Sequence, residues 1–374
     1  MRREHHPHLP APHDHRGSGG RGRRDPAPRP AGGVALRAAV KERPGPGFVW
    51  KDVPKPEPRA GEVLVRVRAA GICGTDLPIF EGRREVPPGL IPGHEFAGEI
   101  VQLGDDVQGW QVGDRVAVGL VKGCGCCPYC RRGDEPMCDQ ILELGIHVNG
   151  AYTEYVAVPQ SCLHRLPDSL SFEEGASVDP IASAYRGVRK VGVTVEDTVV
   201  IFGPGPIGLY ALQTVRARGA HRTIVVGRPE DRGRLEIARE LGADHIVCVP
   251  EEDVVGQVGE FTEGRMANVV IEATGSAAVL PDVLACAGKG ARVLLLGIFH
   301  DTVTLNPALI VRRELQLTGS FCYSWEDFEE SLLLLARGKV TTRGMVTHIL
   351  PLDQLEEGLR LMRERQAVKV ILHP

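Results

Sequence analysis

The stretch that decides the fold is Thr198-Val-Val-Ile-Phe-Gly-Pro-Gly-Pro-Ile-Gly-Leu-Tyr-Ala-Leu-Gln-Thr-Val-Arg-Ala-Arg218. It joins an apolar strand to a helical stretch through the pattern G-x-G-x-x-G, with glycines at Gly203, Gly205 and Gly208. These glycines permit a tight turn, a close approach of the backbone to a pyrophosphate, and close packing of helix on strand. The helix N-terminus then offers N–H groups and a positive dipole to phosphate. In this context the pattern predicts a dinucleotide site, which includes Pro206, rather than a glycine-rich turn without a ligand.

Apolar strands alternate with helical stretches on both sides of this motif, from about residue 182 to residue 321. The expected strands are Thr198–Phe202, Thr223–Val226, Val269–Glu272, Arg292–Gly297 and Leu315–Phe321. The expected helices between them are Leu209–Arg218, Arg234–Leu241 and Ala277–Ala287. This repetition predicts an α/β fold with a parallel, doubly wound sheet.

A different pattern precedes this unit, and a third one follows it. Residues 34–180 contain short strands separated by turn residues, and Glu62–Arg68 alternates with the period of two that is typical of a half-buried strand. The last fifty residues predict two helices and a final strand, at Trp325–Ala336, Leu352–Arg365 and Val368–Leu372. The chain is therefore expected to combine a β-rich unit with the parallel sheet.

The composition of the 374-residue chain restricts its class. With 43% hydrophobic and 25% charged residues it is typical of a globular protein, and its length favours two to three domains. Because the sequence lacks a run of ~18 uncharged apolar residues, we expect no membrane span. The first residues lack the apolar core of a secretory signal, which favours a cytoplasmic location.

The charge is distributed unevenly along the chain. Residues 1–33 hold seven arginines against three acids, and the rest has 37 basic against 45 acidic residues, a net charge of −8. A mildly acidic body argues against nucleic acid as a partner. Residues 1–33 are rich in Pro, Gly, Arg and His, so we expect a disordered tail. Its five histidines favour a solvated tail, with weak metal capture as the alternative.

Five of the ten cysteines lie between residues 124 and 138, and in a reducing compartment such a cluster indicates a metal site. The spacing C-x2-C-x2-C-x7-C is formed by Cys124, Cys127, Cys130 and Cys138. Four thiolates at this spacing can surround one tetrahedral Zn²⁺. The alternative is an iron–sulfur cluster, but its run has a last gap of three and a following proline. An exchange of Cys126 for Cys124 or Cys127 stays open.

Two further motifs place a thiol and an imidazole in glycine turns, each close to a carboxylate. They are Gly71-Ile-Cys-Gly-Thr-Asp76 and Gly93-His-Glu95. A lone Cys or His is more often a packing residue, but the combination is compatible with an open metal site.

With these motifs the sequence resembles the zinc-containing medium-chain dehydrogenase/reductase family, which belongs to the alcohol dehydrogenase superfamily. The shared features are, in order, Gly71–Asp76, Gly93–Glu95, the four-cysteine loop, Val178-Asp-Pro180 and Gly203–Gly208. The resemblance runs from about Val34 to the C-terminus, and it is greatest to the polyol (sorbitol) and L-threonine dehydrogenase branch. It implies a GroES-like catalytic domain at 34–181, a Rossmann domain at 182–322 and a segment at 323–374 that completes the catalytic domain.

The resemblance also implies two zinc ions. Its catalytic zinc would be held by Cys73, His94, Glu95 and Asp179, where the Asp is shorter than the Glu of many polyol enzymes and is expected to reach the metal through water. Thr75 matches the hydroxyl that relays the alcohol proton, with a capping or turn hydroxyl as the alternative. The four cysteines of the loop match the structural zinc ligands.

The expected cofactor is NAD(P), with a preference for NADP. The second strand of the parallel sheet ends at Gly227 and Arg228, where an NAD site usually has an acid on the ribose. Arg228 and Arg234 could pair with a 2′-phosphate, and a solvated Arg228 is the alternative. The resemblance assigns further dinucleotide contacts to Ile207, Gly227 and Arg234, and nicotinamide contacts to Leu296, Gly297, Ile298, Ser320 and Phe321.

The resemblance implies hydride transfer from a zinc-bound secondary alcohol, most simply a polyol or sugar, to the nicotinamide. One departure is Pro78, which stands where relatives often have a relay His, so the proton would leave through water or Glu95. This departure argues against L-threonine, which stays as the alternative substrate. A nucleotide-binding regulatory protein with structural zinc only is the alternative of another class. A homodimer or homotetramer is expected from the resemblance.

Overall fold

The structure is a computed structural model that describes residues 35–374. The predicted disordered tail at residues 1–33 lies outside the described residues. Two large sheets organise the described range: a seven-stranded, mostly antiparallel sheet and a six-stranded parallel sheet. None of the helices in this range has the length and apolar character that a membrane crossing requires.

From residue 35 onwards, nine strands form the β-rich part that precedes the parallel sheet. They are β1 (Ala35–Val40), β2 (Val49–Pro54), β3 (Glu62–Gly71), β4 (Glu95–Leu103), β5 (Arg115–Val118), β6 (Val121–Lys122), β7 (Leu142–Glu143), β8 (Tyr155–Pro159) and β9 (Leu163–Arg165). In β3 the buried Val65 and Val67 alternate with the exposed Arg66, which is the expected pattern of a strand with one face on the core. β1 pairs with β2 and β6 with β7, and the other five belong to the large antiparallel sheet.

The second sheet is entirely parallel. Its strands are β10 (Thr198–Phe202), β11 (Arg222–Gly227), β12 (His245–Cys248), β13 (Ala267–Glu272), β14 (Ala287–Leu295) and β15 (Gln316–Gly319). The spatial order is β12-β11-β10-β13-β14-β15, so the chain order reverses between β10 and β13. Ligands of such sheets bind outside the carboxyl ends of the strands at this switch point. All five residues of β10 are buried, as a strand covered on both faces requires.

The last two strands return the chain to the antiparallel sheet. β16 (Val346–Pro351) and β17 (Lys369–His373) pair in parallel, and β17 lies antiparallel to β3, with Leu372 opposite Ala70. The resulting order is β16-β17-β3-β4-β5-β9, with β8 on β3. The C-terminal segment therefore completes the sheet of the N-terminal part.

Within the described range, ten α-helices connect and cover the two sheets. They are α1 (Asp76–Phe80), α2 (Phe172–Ala176), α3 (Val178–Val191), α4 (Pro206–Ala217), α5 (Arg232–Glu240), α6 (Val254–Phe261), α7 (Leu280–Cys286), α8 (Pro307–Arg313), α9 (Trp325–Ala336) and α10 (Leu355–Arg363). One hydrophobic cluster includes residues of both sheets together with α3, α4 and α9. A second cluster packs on the other face of the antiparallel sheet, and a third packs on the other face of the parallel sheet. The two sheets therefore share a core.

The α/β fold with a doubly wound parallel sheet is confirmed, whereas some elements differ from the expectation. β12 and α6 were not predicted, because β12 is only four residues long and α6 contains Gly256 and Gly259, which lower helix propensity. The predicted domain boundary at residue 181 falls inside α3, a single 14-residue helix whose buried residues belong to the cluster shared by both sheets. The division into domains at that residue stays a prediction.

Candidate active site and metal centres

Four cysteine thiols come together in the loop between β6 and β7. The Sγ atoms that lie within 4.8 Å of one another are those of Cys124, Cys127, Cys130 and Cys138. The exposed Cys126 lies outside this set, although its Sγ is 3.5 Å from the Sγ of Cys124. The structure therefore gathers the thiols that the spacing indicated, and the register with Cys126 as the odd residue is the one observed.

The environment of these thiols fits a metal dication. The N–H groups of Cys126 and Cys127 lower the pKa of Cys124 to about 6, whereas burial raises the pKa of Cys130 to about 12. Four thiolates at this separation can coexist when a bound cation neutralises their charge. A tetrahedral set of four cysteines is the ligand type of structural zinc.

A thiol, an imidazole and a carboxylate form a second group, at one end of β3 and β4. Gly71 of β3 lies opposite Glu95 of β4 in the antiparallel register, so the turn after β3 brings Cys73 beside His94 and Glu95. One ligand atom from each of these three residues lies within 4.8 Å of the others. The three predicted ligands are therefore adjacent, and both His94 and Glu95 are buried.

Two buried polar atoms beside this group have no hydrogen-bond partner among the described residues. They are Nδ1 of His94 and Oδ1 of Asp76, which lie 3.9 Å apart. The other oxygen of Asp76 accepts from the N–H of Cys73 at 2.9 Å and from the hydroxyl of Tyr152 at 2.6 Å. Asp76 is thus fixed beside the ring nitrogen of His94 that points away from Thr75. A carboxylate in this place orients a metal-bound imidazole, so the residues fit a zinc ion.

The hydroxyl of Thr75 lies on the opposite side of the imidazole. Its Oγ1 is 3.4 Å from Nε2 of His94, and it makes no capping hydrogen bond although Thr75 precedes α1. The capping alternative is therefore not what the structure shows. Pro78 lies inside α1 and offers neither a side-chain donor nor an acceptor.

Glu95 has a second partner, which sequence reasoning missed. The carboxylate forms a buried ion pair with Lys369 of β17, and the Lys369 Nζ also donates to the carbonyl of Ile72 at 3.1 Å. A Cβ on Gly71 would collide with the side-chain ends of both members of this pair, so a larger residue there would displace the pair. Burial lowers the pKa of Lys369 to about 8. The available signal was a single Lys in the otherwise apolar strand Val368–Leu372.

Asp179 does not join the group of three ligands. It lies in the first turn of α3, and its Oδ2 accepts a hydrogen bond from the hydroxyl of Tyr323. Burial raises the pKa of Asp179 to about 6, and the nearby His94 opposes that shift. The carboxylate thus lies within electrostatic reach of His94 but outside the 4.8 Å set. Tyr323 was not among the predicted residues.

The glycine-rich turn has the geometry that a dinucleotide requires. Gly203 follows β10 with a φ of 100°, and a Cβ on Gly208 would collide with the carbonyl of Gly203. Gly205 has open space where a Cβ would stand, and Pro206 and Ile207 begin α4 directly after it. The N–H groups of this helix therefore face a space that a pyrophosphate could enter.

The two arginines proposed for the ribose side differ in their surroundings. Arg228 follows the buried Gly227 at the end of β11 and is exposed. Arg234 is 13% exposed, and its guanidinium donates to the carbonyl of Ala367 at 2.6 Å. Arg228 is free to meet a phosphate, whereas Arg234 is turned towards the C-terminal segment.

The residues proposed for the nicotinamide side follow two adjacent parallel strands. Leu296, Gly297 and Ile298 come after β14, and Ser320 and Phe321 come after β15. The side chains of Ile298 and Phe321 are exposed, at 54% and 40%. These positions lie at the same edge of the sheet as the glycine-rich turn, because all strands of this sheet are parallel.

A buried ion-pair network connects the four-cysteine loop to two helices. Arg186 of α3 donates to Asp134 of the loop and, at 2.9 Å, to Asp327 of α9. Arg189 approaches the other oxygen of Asp327 at 2.7 Å. Although burial opposes the shift, Arg186 and Arg132 hold the pKa of Asp134 below its usual range, and the N–H of Ser324 together with Arg186 does the same for Asp327. The helix that carries Asp179 is thus attached to the loop.

Comparison with known proteins agrees with this geometry. The family model for the alcohol dehydrogenase GroES-like domain matches residues 59–168, and the model for zinc-binding dehydrogenase matches residues 206–337. The chain is 33% identical to a sorbitol dehydrogenase of Halalkalibacterium halodurans, over 91% of this chain and 99% of the relative. It is 36% identical to an L-threonine 3-dehydrogenase of Pyrococcus horikoshii, over 89% of this chain and 97% of the relative.

A solved structure is similar over the same range. It is a zinc-binding dehydrogenase from Sinorhizobium meliloti bound to NADP, with a TM-score of 0.85, 31% identity, and coverage of 91% of this chain and 100% of the other. Fold, motifs and relatives agree on one class, the NAD(P)-linked alcohol dehydrogenases. The chain belongs to the zinc-containing medium-chain dehydrogenase/reductase family.

Proposed function

We propose that this chain is a zinc-dependent dehydrogenase that oxidises a secondary alcohol group of a polyol or sugar-like substrate with NAD(P)⁺. The observation that carries the proposal is the contrast between the two ligand groups. The loop supplies four thiols, whereas Cys73, His94 and Glu95 supply three unlike ligands. A three-ligand set that leaves a position for substrate is typical of catalytic zinc.

Zinc at this centre would polarise the substrate hydroxyl, and the bound nicotinamide would accept the hydride. The hydroxyl of Thr75, beside His94, is placed to take the proton that the alcohol loses. Because Pro78 offers no further acceptor, this proton leaves through water or through Glu95. The carboxylate of Asp179 accepts a hydrogen bond from a water or from a second substrate hydroxyl.

The polyol assignment is supported by the sorbitol dehydrogenase relative and by the charges around the centre. An amino-acid substrate needs a cation for its carboxylate. Lys369 is the buried cation of this centre, but it is already paired with the carboxylate of Glu95 rather than left for a substrate. L-Threonine is the second candidate, because a relative of similar identity is an L-threonine 3-dehydrogenase.

The experiment that tests the proposal follows nicotinamide absorbance with the zinc-replete protein. NAD⁺ and NADP⁺ are each combined with polyols, aldoses, simple secondary alcohols and L-threonine. We expect turnover of at least one polyol and none after Cys73→Ser. Turnover of L-threonine alone would replace the substrate assignment, and absence of turnover throughout would contradict the proposal.

Metal analysis separates the enzyme from a regulatory protein with structural zinc only. We expect roughly two zinc ions per chain, one in each ligand group. A content of roughly one, retained after Cys73→Ser, would favour the regulatory protein.

We further propose a preference for NADP, supported by Gly227 and the exposed Arg228 at the end of β11 and by the NADP-bound relative. Arg228→Ala is expected to weaken NADPH binding roughly 10- to 100-fold, because one charge-assisted contact to the 2′-phosphate is lost. NADH binding should stay unchanged, and titration of nicotinamide fluorescence measures both. Equal NADPH affinity in the variant and the parent protein would contradict the preference.

A homo-oligomer is proposed from the exposed edge of the parallel sheet. β15 is the edge strand, with Leu317 39% exposed, and Val311 of the neighbouring α8 is 74% exposed. Apolar residues at a sheet edge favour pairing with another copy. Light scattering tests this, and a monomer at micromolar concentration would contradict it.

A further inference from the structure

The segment that joins the parallel sheet to α9 places a tyrosine beside the proposed catalytic zinc. After β15 ends at Gly319, Ser320 and Phe321 lie on the proposed nicotinamide side. Cys322 follows with a φ of 47°, a left-handed conformation that is uncommon for a residue with a side chain. Such conformations persist where the surrounding structure imposes them, often at functional sites. Here the conformation directs the next side chain, Tyr323, into the interior, where it is 2% exposed.

Both sides of this conformation are fixed by contacts. The thiol of Cys322 donates to Oε1 of the buried Glu143 at 3.7 Å. Ser324 accepts the N–H of Asp327 at 3.3 Å and so caps α9. The backbone of Tyr323 is therefore held between the β7 region and the start of α9.

The hydrogen bonds of the Tyr323 hydroxyl have only one possible direction. The N–H of Leu120 donates to this oxygen at 3.0 Å, and an N–H group cannot accept. The hydroxyl proton must therefore point to its other partner, Oδ2 of Asp179. One oxygen of the Asp179 carboxylate is thus committed to a rigid, buried donor.

We propose that Tyr323 is a positioning residue that holds the Asp179 carboxylate away from the metal and so keeps one coordination position open for substrate. The inference rests on the proposed function. Asp179, for which the resemblance implies a place at the catalytic zinc, is buried and hydrogen-bonded to Tyr323, and its carboxylate stays outside the set formed by Cys73, His94 and Glu95. A freely rotating carboxylate beside a zinc ion would become its fourth ligand and close the site. The bond from Tyr323 opposes that rotation.

The same segment connects the contact between Tyr323 and Asp179 to the proposed cofactor site. Phe321 lies two residues before Tyr323, on the proposed nicotinamide side, and Cys322 between them is fixed by Glu143. A cofactor that contacts Ser320 and Phe321 therefore binds to the same short segment that holds Asp179. Binding of the nicotinamide and placement of the carboxylate are expected to be coupled.

The test is Tyr323→Phe in the full-length protein, with Tyr210→Phe as the matched control. Tyr210 is also fully buried, but its hydroxyl has no hydrogen-bond partner among the described residues. In Tyr323→Phe we expect Asp179 to bind the metal, so kcat falls roughly 10- to 100-fold, the range for one hydrogen bond to a charged group. Removal of zinc from the Cys73 centre by a chelator should slow by roughly tenfold.

Two readouts do not depend on turnover. In cobalt-substituted protein the ligand-field bands of the Cys73 centre should shift in Tyr323→Phe, and nicotinamide binding should no longer alter them. Because the four-cysteine loop is unchanged, the difference belongs to that centre. In an Asp179→Asn background, the added Tyr323→Phe change should alter neither the ligand-field bands nor the rate of zinc release, because Tyr323 acts through Asp179.

Three results would overturn the inference. They are wild-type bands and wild-type zinc release in Tyr323→Phe, an equal change in Tyr210→Phe, or a full effect that persists without Asp179. If the unmodified protein oxidises no alcohol, the proposed function fails, whereas the spectral and chelator measurements still decide the role of Tyr323. A thermal melt of each variant identifies any loss that comes from unfolding alone.

Discussion

The four-cysteine loop and the Cys73 centre are both groups of metal-ligating side chains, but they differ in almost every other respect. The loop draws its four identical ligands from one short segment and binds them with backbone N–H groups. The Cys73 centre draws three unlike ligands from two strand ends and surrounds them with Asp76, Asp179 and Lys369. Under the proposed function, one chain would use the same metal to hold the fold at the loop and to perform chemistry at the Cys73 centre.

The largest expected effect is the loss of activity when a ligand of the Cys73 centre is replaced. Cys73→Ser should lower kcat/KM at least roughly 1,000-fold, because a catalytic metal contributes several kcal/mol of transition-state stabilisation. Folding should be almost unaffected, since the loop keeps its own ligands. Activity, zinc content and thermal melting measure this together, with Cys248→Ser as the thiol control. A variant that loses its fold along with its activity would break the comparison.

The loop should respond in the opposite way. Cys138→Ser removes the one buried thiol of the set and is expected to lower the free energy of unfolding by roughly 4 kcal/mol, because structural zinc binding is coupled to folding. Denaturant unfolding measures it. Cys126→Ser, a change in the same loop outside the ligand set, should behave like the parent protein. Similar losses in both variants would mean that the loop does not select its ligands.

The ion pair between Lys369 and Glu95 tests whether the charged neighbours of the Cys73 centre contribute to stability. Lys369→Met leaves Glu95 buried without its cation and should cost about 3 kcal/mol of stability, as for other broken buried pairs. Lys289→Met, on an exposed position of β14, is the control and should be nearly neutral. Equal stability of the two variants would show that the pair contributes nothing to the fold.

The smallest expected effect is a loss of stability in acid that comes from His164, close to the four-cysteine loop. His164 is buried, lies 4.1 Å from Phe328 in a stacked arrangement, and borders an approximately 320 Å³ cavity beside the loop residue Cys130. Burial lowers the pKa of His164, although Glu329 opposes this. Below about pH 6.5 the unfolded chain therefore binds more protons than the folded chain, and stability should fall as the pH drops from there.

His164→Gln should flatten this part of the stability curve. Urea unfolding between pH 5 and 7 makes the comparison. An unchanged slope in the variant would assign the acid sensitivity to other groups.

The sequence predicted the fold well where the periodic pattern is regular. The apolar β10 and the glycine-rich turn identify the parallel sheet, and the alternation in β3 identifies the antiparallel one. Prediction failed for α6, because its glycines weaken the helical signal.

The candidate site was predictable as far as its ligands lie in short motifs. Cys73 and His94 stand in glycine turns that can be recognised locally. Lys369 and Tyr323 reach the site only through long-range pairing, since β17 must lie on β3 and α9 must follow β15. The single Lys in an apolar strand is a local signal for Lys369 but does not identify its partner, and no local pattern marks Tyr323. Only the tertiary structure shows that these residues face Glu95 and Asp179.

The ion-pair network of Arg186 has a consequence for protein engineering. Asp134 of the loop, Arg186 of α3 and Asp327 of α9 are joined by it, although about 190 residues of chain separate Asp134 from Asp327. A chimera that takes its nucleotide-binding half from a relative would bring a foreign partner to at least one of them. The donor and the recipient must therefore match at positions 134, 186 and 327 as a set, even where every ligand of zinc and cofactor has been preserved.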